Sequence, residues 1–167
     1  MVKKGSIGKN LKEIEAFYDQ AKSTKKKFYF AKLAVLELCG WLENAQDELI
    51  KGSAARCILI STNMDLVNER IKRTYGFEYT GNFRPLLIQI VGLSKLERIE
   101  GQFDATGSLS KYRSLLSKLK DPRNKVAHNH TTGLMPTIDA PSVVRKDLEE
   151  LFKYLRELER ILKRAHC

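Results

Sequence analysis

The spacing of apolar residues in the segment 24–51 limits the possible folds of this chain more than any other feature. The apolar positions step by alternating fours and threes, at Ala31, Val35, Leu38, Leu42, Ala45 and Leu49. This is the repeat of one face of an α-helix, whereas a half-buried strand would alternate by two. A stripe this long needs a partner surface along its whole length. The pattern therefore predicts a long helix that packs into a core.

Similar repeats predict helices along most of the remaining chain. The expected bounds are a first helix from Asn10 to about Ser23, one from Asn82 through Leu93 to Leu96, one from Ser108, and a last one from about Ser142 to Arg164. Phe77-Glu78-Tyr79-Thr80 is the only tempting short strand. Asp121-Pro122 is expected to break the chain and start a short helix, because proline lacks a backbone N–H.

Size and patterning together predict one domain. A chain of 167 residues can bury a full core without disulfide or metal support. It contains no internal repeat and no credible linker. We therefore expect a single domain over residues 1–167, an all-α, up-and-down bundle of about five or six helices.

The chain also lacks the signals of membrane and metal proteins. No apolar run approaches the roughly 20 residues that span a bilayer, and the first residues lead into polar sequence. We expect a cytoplasmic protein without a membrane partner. Cys39, Cys57 and Cys167 lack metal-type spacing and are expected to be reduced. A metal site at His128 and His130 is the weaker interpretation, so no metal or other cofactor is predicted.

Positive charge is concentrated in two regions of the sequence. The net charge is +10; residues 1–27 hold eight lysines against three acids, and residues 111–125 hold six lysines or arginines against Asp121 alone. Such clusters suit a polyanionic partner, although for residues 1–27 alone a solvated lysine-rich face is the favoured interpretation. Because the second region surrounds a chemically suggestive segment, we predict nucleic acid as the partner.

The segment 121–128 contains the side chains that phosphate chemistry needs. Arg123 could bind phosphate oxygens with two N–H groups, and His128 could move a proton near neutral pH. Asn124 lies one helical turn before His128 and could orient its ring. These residues predict RNA cleavage without metal, in which the 2′-hydroxyl attacks the neighbouring phosphate. The expected RNA-binding residues are Lys118, Lys120, Lys125 and His130.

A straight helix separates the arginine from the histidine. Five residues place Arg123 and His128 roughly 140° apart around the axis, with a rise of roughly 7.5 Å. A two-fold dimer would bring two copies of each group around one cleft. We therefore expect a homodimer with a composite site.

The segment Arg123-Asn124-Lys125-Val126-Ala127-His128 resembles the motif of the HEPN superfamily of all-helical domains. The family motif is an arginine, an adjacent polar residue and a histidine after four to six intervening residues. The resemblance implies a metal-independent endoribonuclease, usually dimeric, often in toxin–antitoxin or phage-defence systems. It implies Arg123 and His128 as catalytic and Asn124 as supporting. His130 also satisfies the spacing.

The chain departs from one subgroup of that family. Val126 stands two positions before His128, where HEPN toxins paired with nucleotidyltransferase antitoxins carry tyrosine. An antitoxin or another regulatory protein is still a possible partner by the resemblance. Two alternatives stay open: a catalytically inactive HEPN-like module that binds nucleic acid, and a helical adaptor that binds an acidic protein.

Overall fold

The computed structural model describes residues 1–128, without the side chain of His128, and residues 137–165. In this part of the chain all regular elements are helical, which confirms the all-α prediction. Seven α-helices occur there, more than the five or six expected: α1 (Gly5–Gln20), α2 (Thr24–Cys57), α3 (Ser61–Lys72), α4 (Arg84–Val91), α5 (Leu93–Asp104), α6 (Ser108–His128) and α7 (Pro141–Arg164). A π-helical turn, Tyr79–Phe83, precedes α4.

Helix α2 is the centre of the bundle. Its 34 residues extend over about 51 Å at the α-helical rise. Helices α1 and α7 pack against it and against each other, and α6 packs against both α2 and α7. The predicted apolar stripe of α2 is confirmed, because all six of its residues are buried.

A buried polar contact joins α2 to α6 inside this core. The amide Nε2 of Gln46 donates to the backbone carbonyl of Phe77 at 3.0 Å and to the hydroxyl of Tyr112 at 2.8 Å. Both side chains are almost fully buried. The ring of Tyr112 also contacts Tyr79 and Tyr154 edge to face or tilted. Satisfied buried polar groups of this kind fix the register of neighbouring elements.

The prediction of one helix from Asn82 to Leu96 is wrong, because the chain turns at Gly92. This glycine has φ +77° and ψ 157°, a combination that side chains with a Cβ essentially never adopt. The turn separates α4 from α5 and leaves Leu93, expected on the inner face, 57% exposed. The segment Phe77–Thr80, where a short strand was not excluded, forms no strand: Tyr79–Phe83 is the π-helical turn.

The predicted break at Asp121-Pro122 is wrong as well. Pro122 lies inside α6, which continues without interruption to His128. A proline in a helix interior costs about 3 kcal/mol, so packing on both sides must offset that cost. Leu119 before it and Val126 after it are 3% and 2% exposed. Lys118, whose carbonyl lies one turn before the proline, is fixed to α7 through Asp147.

The described helices are too short or too polar for any of them to cross a bilayer. Among the cysteines, Cys39 is a buried free thiol, whereas Cys57 is disulfide-bonded. The expectation of reduced thiols is therefore wrong for Cys57. Cys167 lies outside the described residues.

Candidate functional site

Arg123 lies in the second half of α6, where that helix packs against α2. Its Nη2 approaches Oε1 of Glu43 on α2 at 3.5 Å, and the two side chains are 30% and 33% exposed. Its Nη1 donates to Oδ1 of Asn124 at 3.2 Å. A guanidinium has five N–H donors, so these two contacts leave donors that face solvent. Arg123 is thus oriented by two oxygens and is still accessible.

Asn124 contacts the arginine directly. The exposed Asn124 side chain accepts the hydrogen bond from Arg123 through its Oδ1. The sequence had suggested that this amide orients His128. The side chain of His128 and the whole of His130 lie outside the described residues, so that suggestion stays a prediction. The backbone of α6 is helical through His128.

Because α6 is one continuous helix here, the separation expected from the sequence applies. Arg123 and His128 belong to the same uninterrupted segment and are roughly 140° apart around its axis. Val126 lies between them in sequence and is 2% exposed, so the side of α6 that carries Val126 faces the core. One protomer therefore does not place the two positions on a single helical face.

The three predicted RNA-binding lysines differ in their surroundings. Lys118 Nζ contacts both carboxylate oxygens of Asp147, at 2.9 and 2.7 Å. Desolvation opposes its charge, but the hydrogen bond and charge of Asp147 prevail and raise the pKa of Lys118. Lys120 Nζ lies 2.5 Å from Glu78, and this hydrogen bond raises the pKa of Lys120. Lys125 is exposed.

Two further groups on α2 surround the contact between Arg123 and Glu43. Burial, and secondly the charge of Glu43, raises the pKa of the Cys39 thiol to about 12, although Arg123 opposes the rise. Cys39 is therefore a neutral thiol near pH 7. Burial raises the pKa of Asp47 to about 6, with Lys51 opposing and Glu43 adding to the effect. Asp47 thus titrates close to the physiological range.

Glu43 is the site residue that sequence reasoning missed. Taken alone, a glutamate on a helix is explained by a solvated helix side, and Glu43 was not among the predicted site residues. Its position carries a signal, however, since it directly follows Leu42 of the buried stripe. A carboxylate at the edge of such a stripe is half-buried and is expected to have a cationic partner from the neighbouring helix.

The described residues do not form a metal site. Within the described residues, no group of three or more histidine, cysteine, aspartate or glutamate side chains has an arrangement that would hold a metal ion.

Comparison with known proteins does not assign a function to these residues. No protein-family model matches the chain, and no curated protein or solved structure is detectably similar to it. The functional interpretation consequently depends on the residues and their geometry.

Proposed function

We propose that this protein is a metal-independent endoribonuclease whose reaction centre includes Arg123 and His128. The main support for the proposal is the environment of Arg123. Its side chain is partly exposed and contacts Asn124 and Glu43. Oriented guanidinium donors stabilise charge on phosphoryl oxygens at no reorganisation cost during the reaction. The net charge of +10 favours the approach of RNA.

In the proposed reaction the substrate supplies its own nucleophile. The 2′-oxygen of the ribose forms a bond to the adjacent phosphorus while the bond from phosphorus to the 5′-oxygen breaks. His128 accepts the 2′-hydroxyl proton, and the departing 5′-oxygen takes up a proton from water. Arg123 offsets the negative charge on the non-bridging oxygens. The products are a 2′,3′-cyclic phosphate and a 5′-hydroxyl end.

We place this chemistry in a cytoplasmic homodimer. The angular separation of Arg123 and His128 on α6 supports a cleft in which Arg123 of one subunit faces His128 of the other. A role as a toxin or phage-defence effector, with an antitoxin or another regulatory protein as partner, follows only from the HEPN resemblance of residues 123–128.

The central test is cleavage of labelled RNA by Arg123→Ala and His128→Ala. We expect each variant to lose at least about a hundredfold in cleavage rate, while thermal unfolding shows that it is folded. Arg70→Ala removes an exposed arginine on α3, outside the proposed site, and is the control for loss of one positive charge. Wild-type cleavage by either site variant, or ends other than cyclic phosphate, would contradict the proposal.

The shared cleft has a test of its own. Mixing Arg123→Ala subunits with His128→Ala subunits creates heterodimers in which one of two composite sites is intact. We expect the mixture to recover part of the wild-type cleavage rate. An inactive mixture, in which native mass spectrometry nevertheless detects the heterodimer, would mean that each subunit supplies its own arginine and histidine.

A second candidate function is a catalytically inactive RNA-binding module. The ion pair with Glu43 favours it, because that carboxylate competes with a phosphate for the guanidinium of Arg123. This alternative predicts salt-sensitive RNA binding without new RNA ends. The cleavage assay on the wild-type protein separates the two.

A further inference from the structure

A basic cavity lies between α5 and the carboxyl-terminal half of α7, a part of the molecule that the proposed reaction does not use. Its volume is about 610 Å³. The charged lining consists of Lys95 and Arg98 from α5, and of Glu157, Arg160 and Arg164 from α7. Among the described lining residues, four are basic and one is acidic. A cavity of this size accommodates several phosphate groups with their sugars.

The arginines of this cavity are available to a ligand. Arg98, Arg160 and Arg164 are exposed, and none of them forms an ion pair with a carboxylate of the described residues. The one acidic lining residue is engaged elsewhere. The carboxylate of Glu157 accepts from Ser108 Oγ at 2.9 Å and from Thr106 Oγ1 at 3.5 Å. The charges of Arg98, Arg160 and Arg164 are therefore not paired with a carboxylate of the described residues.

The basic surface continues beyond the cavity along α7. An adjoining hollow of about 570 Å³ shares Glu157, Arg160 and Arg164 and extends to Lys153. Its other acid, Glu159, is buried and already bound by Arg156 and Lys163, each at 2.8 Å. From Lys153 to Arg164 the helix advances about 16 Å. A cationic track of this length suits a chain of phosphates better than one small phosphorylated molecule.

We propose that this track binds the backbone of an RNA strand, with Arg98, Arg160 and Arg164 contacting successive phosphates. Arginine matches phosphate with two parallel N–H donors, and the surface needs no rearrangement of ion pairs to offer them. The described lining of both hollows contains no aromatic ring on which a base could stack. Binding is therefore independent of base sequence and sensitive to salt. The proposal rests on RNA as the partner, and cleavage is not required for it.

The test measures the affinity of a labelled, fully 2′-O-methylated RNA strand, which lacks the attacking hydroxyl and cannot be cut. The double variant Arg98→Ala/Arg160→Ala is compared with Arg70→Ala/Arg73→Ala, which removes the same charge from exposed positions on and just after α3. We expect the first to bind at least about tenfold more weakly and to lower the salt slope by about 1.4, two phosphates at 0.7 each. The second should change affinity less than about twofold, since neither Arg70 nor Arg73 lines the two hollows.

Three results would overturn the proposal. They are wild-type affinity in Arg98→Ala/Arg160→Ala, an equal loss in both double variants, and binding of inorganic pyrophosphate without binding of the RNA strand. Arg98→Lys/Arg160→Lys checks the geometry, because it keeps the charge but not the paired donors; it should recover only part of the affinity.

Failure of the proposed track can be told apart from failure of the proposed cleavage reaction. Wild-type protein that binds the methylated strand through these arginines but never cleaves ordinary RNA would remove the endoribonuclease proposal alone. Protein that cleaves RNA with unchanged affinity in Arg98→Ala/Arg160→Ala would remove the track alone.

Discussion

The ion pair between Arg123 and Glu43 bears on the proposed role of Arg123 in RNA cleavage. The carboxylate of Glu43 lies on the central helix, 3.5 Å from the guanidinium. It neutralises part of the arginine charge and also restricts where the guanidinium points. These two effects act in opposite directions on RNA, since the first weakens binding and the second favours a productive orientation.

Glu43→Gln separates the two effects. We expect unchanged or tighter RNA binding, because a negative charge is removed, and a cleavage rate lower by about tenfold, because the guanidinium is less restricted. Single-turnover kinetics at saturating enzyme measure the rate apart from affinity. Glu48→Gln on the exposed side of the same helix is the control. A cleavage rate equal to wild type in Glu43→Gln would show that Glu43 does not position Arg123.

Asp47 predicts a specific pH dependence of stability. Burial raises its pKa from 3.8 to about 6, so between these values the folded protein binds a proton that the unfolded chain lacks. The contribution of Asp47 to the free energy of unfolding therefore falls as pH rises through this window. For a half-buried group screened by solvent, the cost near neutral pH is about 1 kcal/mol.

Asp47→Asn removes this cost. We expect the variant to be about 1 kcal/mol more stable than wild type near pH 7 and equally stable near pH 4. Urea unfolding at both pH values measures the difference, and Asp19→Asn on α1 is the exposed control. A variant less stable than wild type at neutral pH would show that the carboxylate makes a favourable contact in the folded state.

The residues around the motif show what a sequence can and cannot predict about a site. The motif itself could be read from residues 121–128, but its position inside the continuous helix α6 could not, because Asp121-Pro122 predicted a break there. The contacts of Lys118 and Lys120 could not, because Asp147 and Glu78 are distant in sequence and the packing of α6 brings them close. Charge counted in a sequence window overestimates the charge that is free to bind a partner.

At the level of elements, Gly92 determines where α4 ends and α5 begins. Gly92→Ala should destabilise the protein by about 1–3 kcal/mol through backbone strain alone, since no atom lies within 4 Å of the added Cβ.

Gly101 inside α5 is the matched control, because it also has open space around the added carbon. Gly101→Ala should stabilise the protein by about 0.5–1 kcal/mol, as alanine favours the helix. Chemical denaturation measures both. Equal effects of the same sign in the two variants would contradict the role given to the Gly92 backbone.

Pro122 illustrates why element boundaries are hard to predict from local rules. A proline forbids one backbone hydrogen bond, but the buried residues Leu119 and Val126 keep both halves of α6 against the core. The local penalty is about 3 kcal/mol, and burial of these two apolar side chains offsets it. The apolar periodicity predicted the bounds of α7 closely, because no proline in the interior of that helix opposes its packing.

For the whole molecule, the contact of Gln46 with Phe77 and Tyr112 joins segments far apart in sequence. Gln46→Leu leaves a buried carbonyl and a buried hydroxyl without this donor, and we expect a loss of about 2–4 kcal/mol in the free energy of unfolding. Tyr112→Phe removes one partner only and should cost about 1 kcal/mol. Urea unfolding measures both; a larger loss for Tyr112→Phe would contradict the central role of the amide.

The basic track follows the carboxyl-terminal half of α7, whereas α6, which carries the motif, contacts α7 near its other end at Asp147, and this separation bears on substrate length. Lys118 next to the motif contacts Asp147, whereas the track reaches Arg164, about 25 Å further along the axis. At 3.4 Å per nucleotide in a stacked strand, one RNA molecule that extends from the level of Asp147 to the far end of the track needs roughly seven nucleotides. Affinity plotted against oligonucleotide length should then rise in a step near that size, and dinucleotides should be poor ligands.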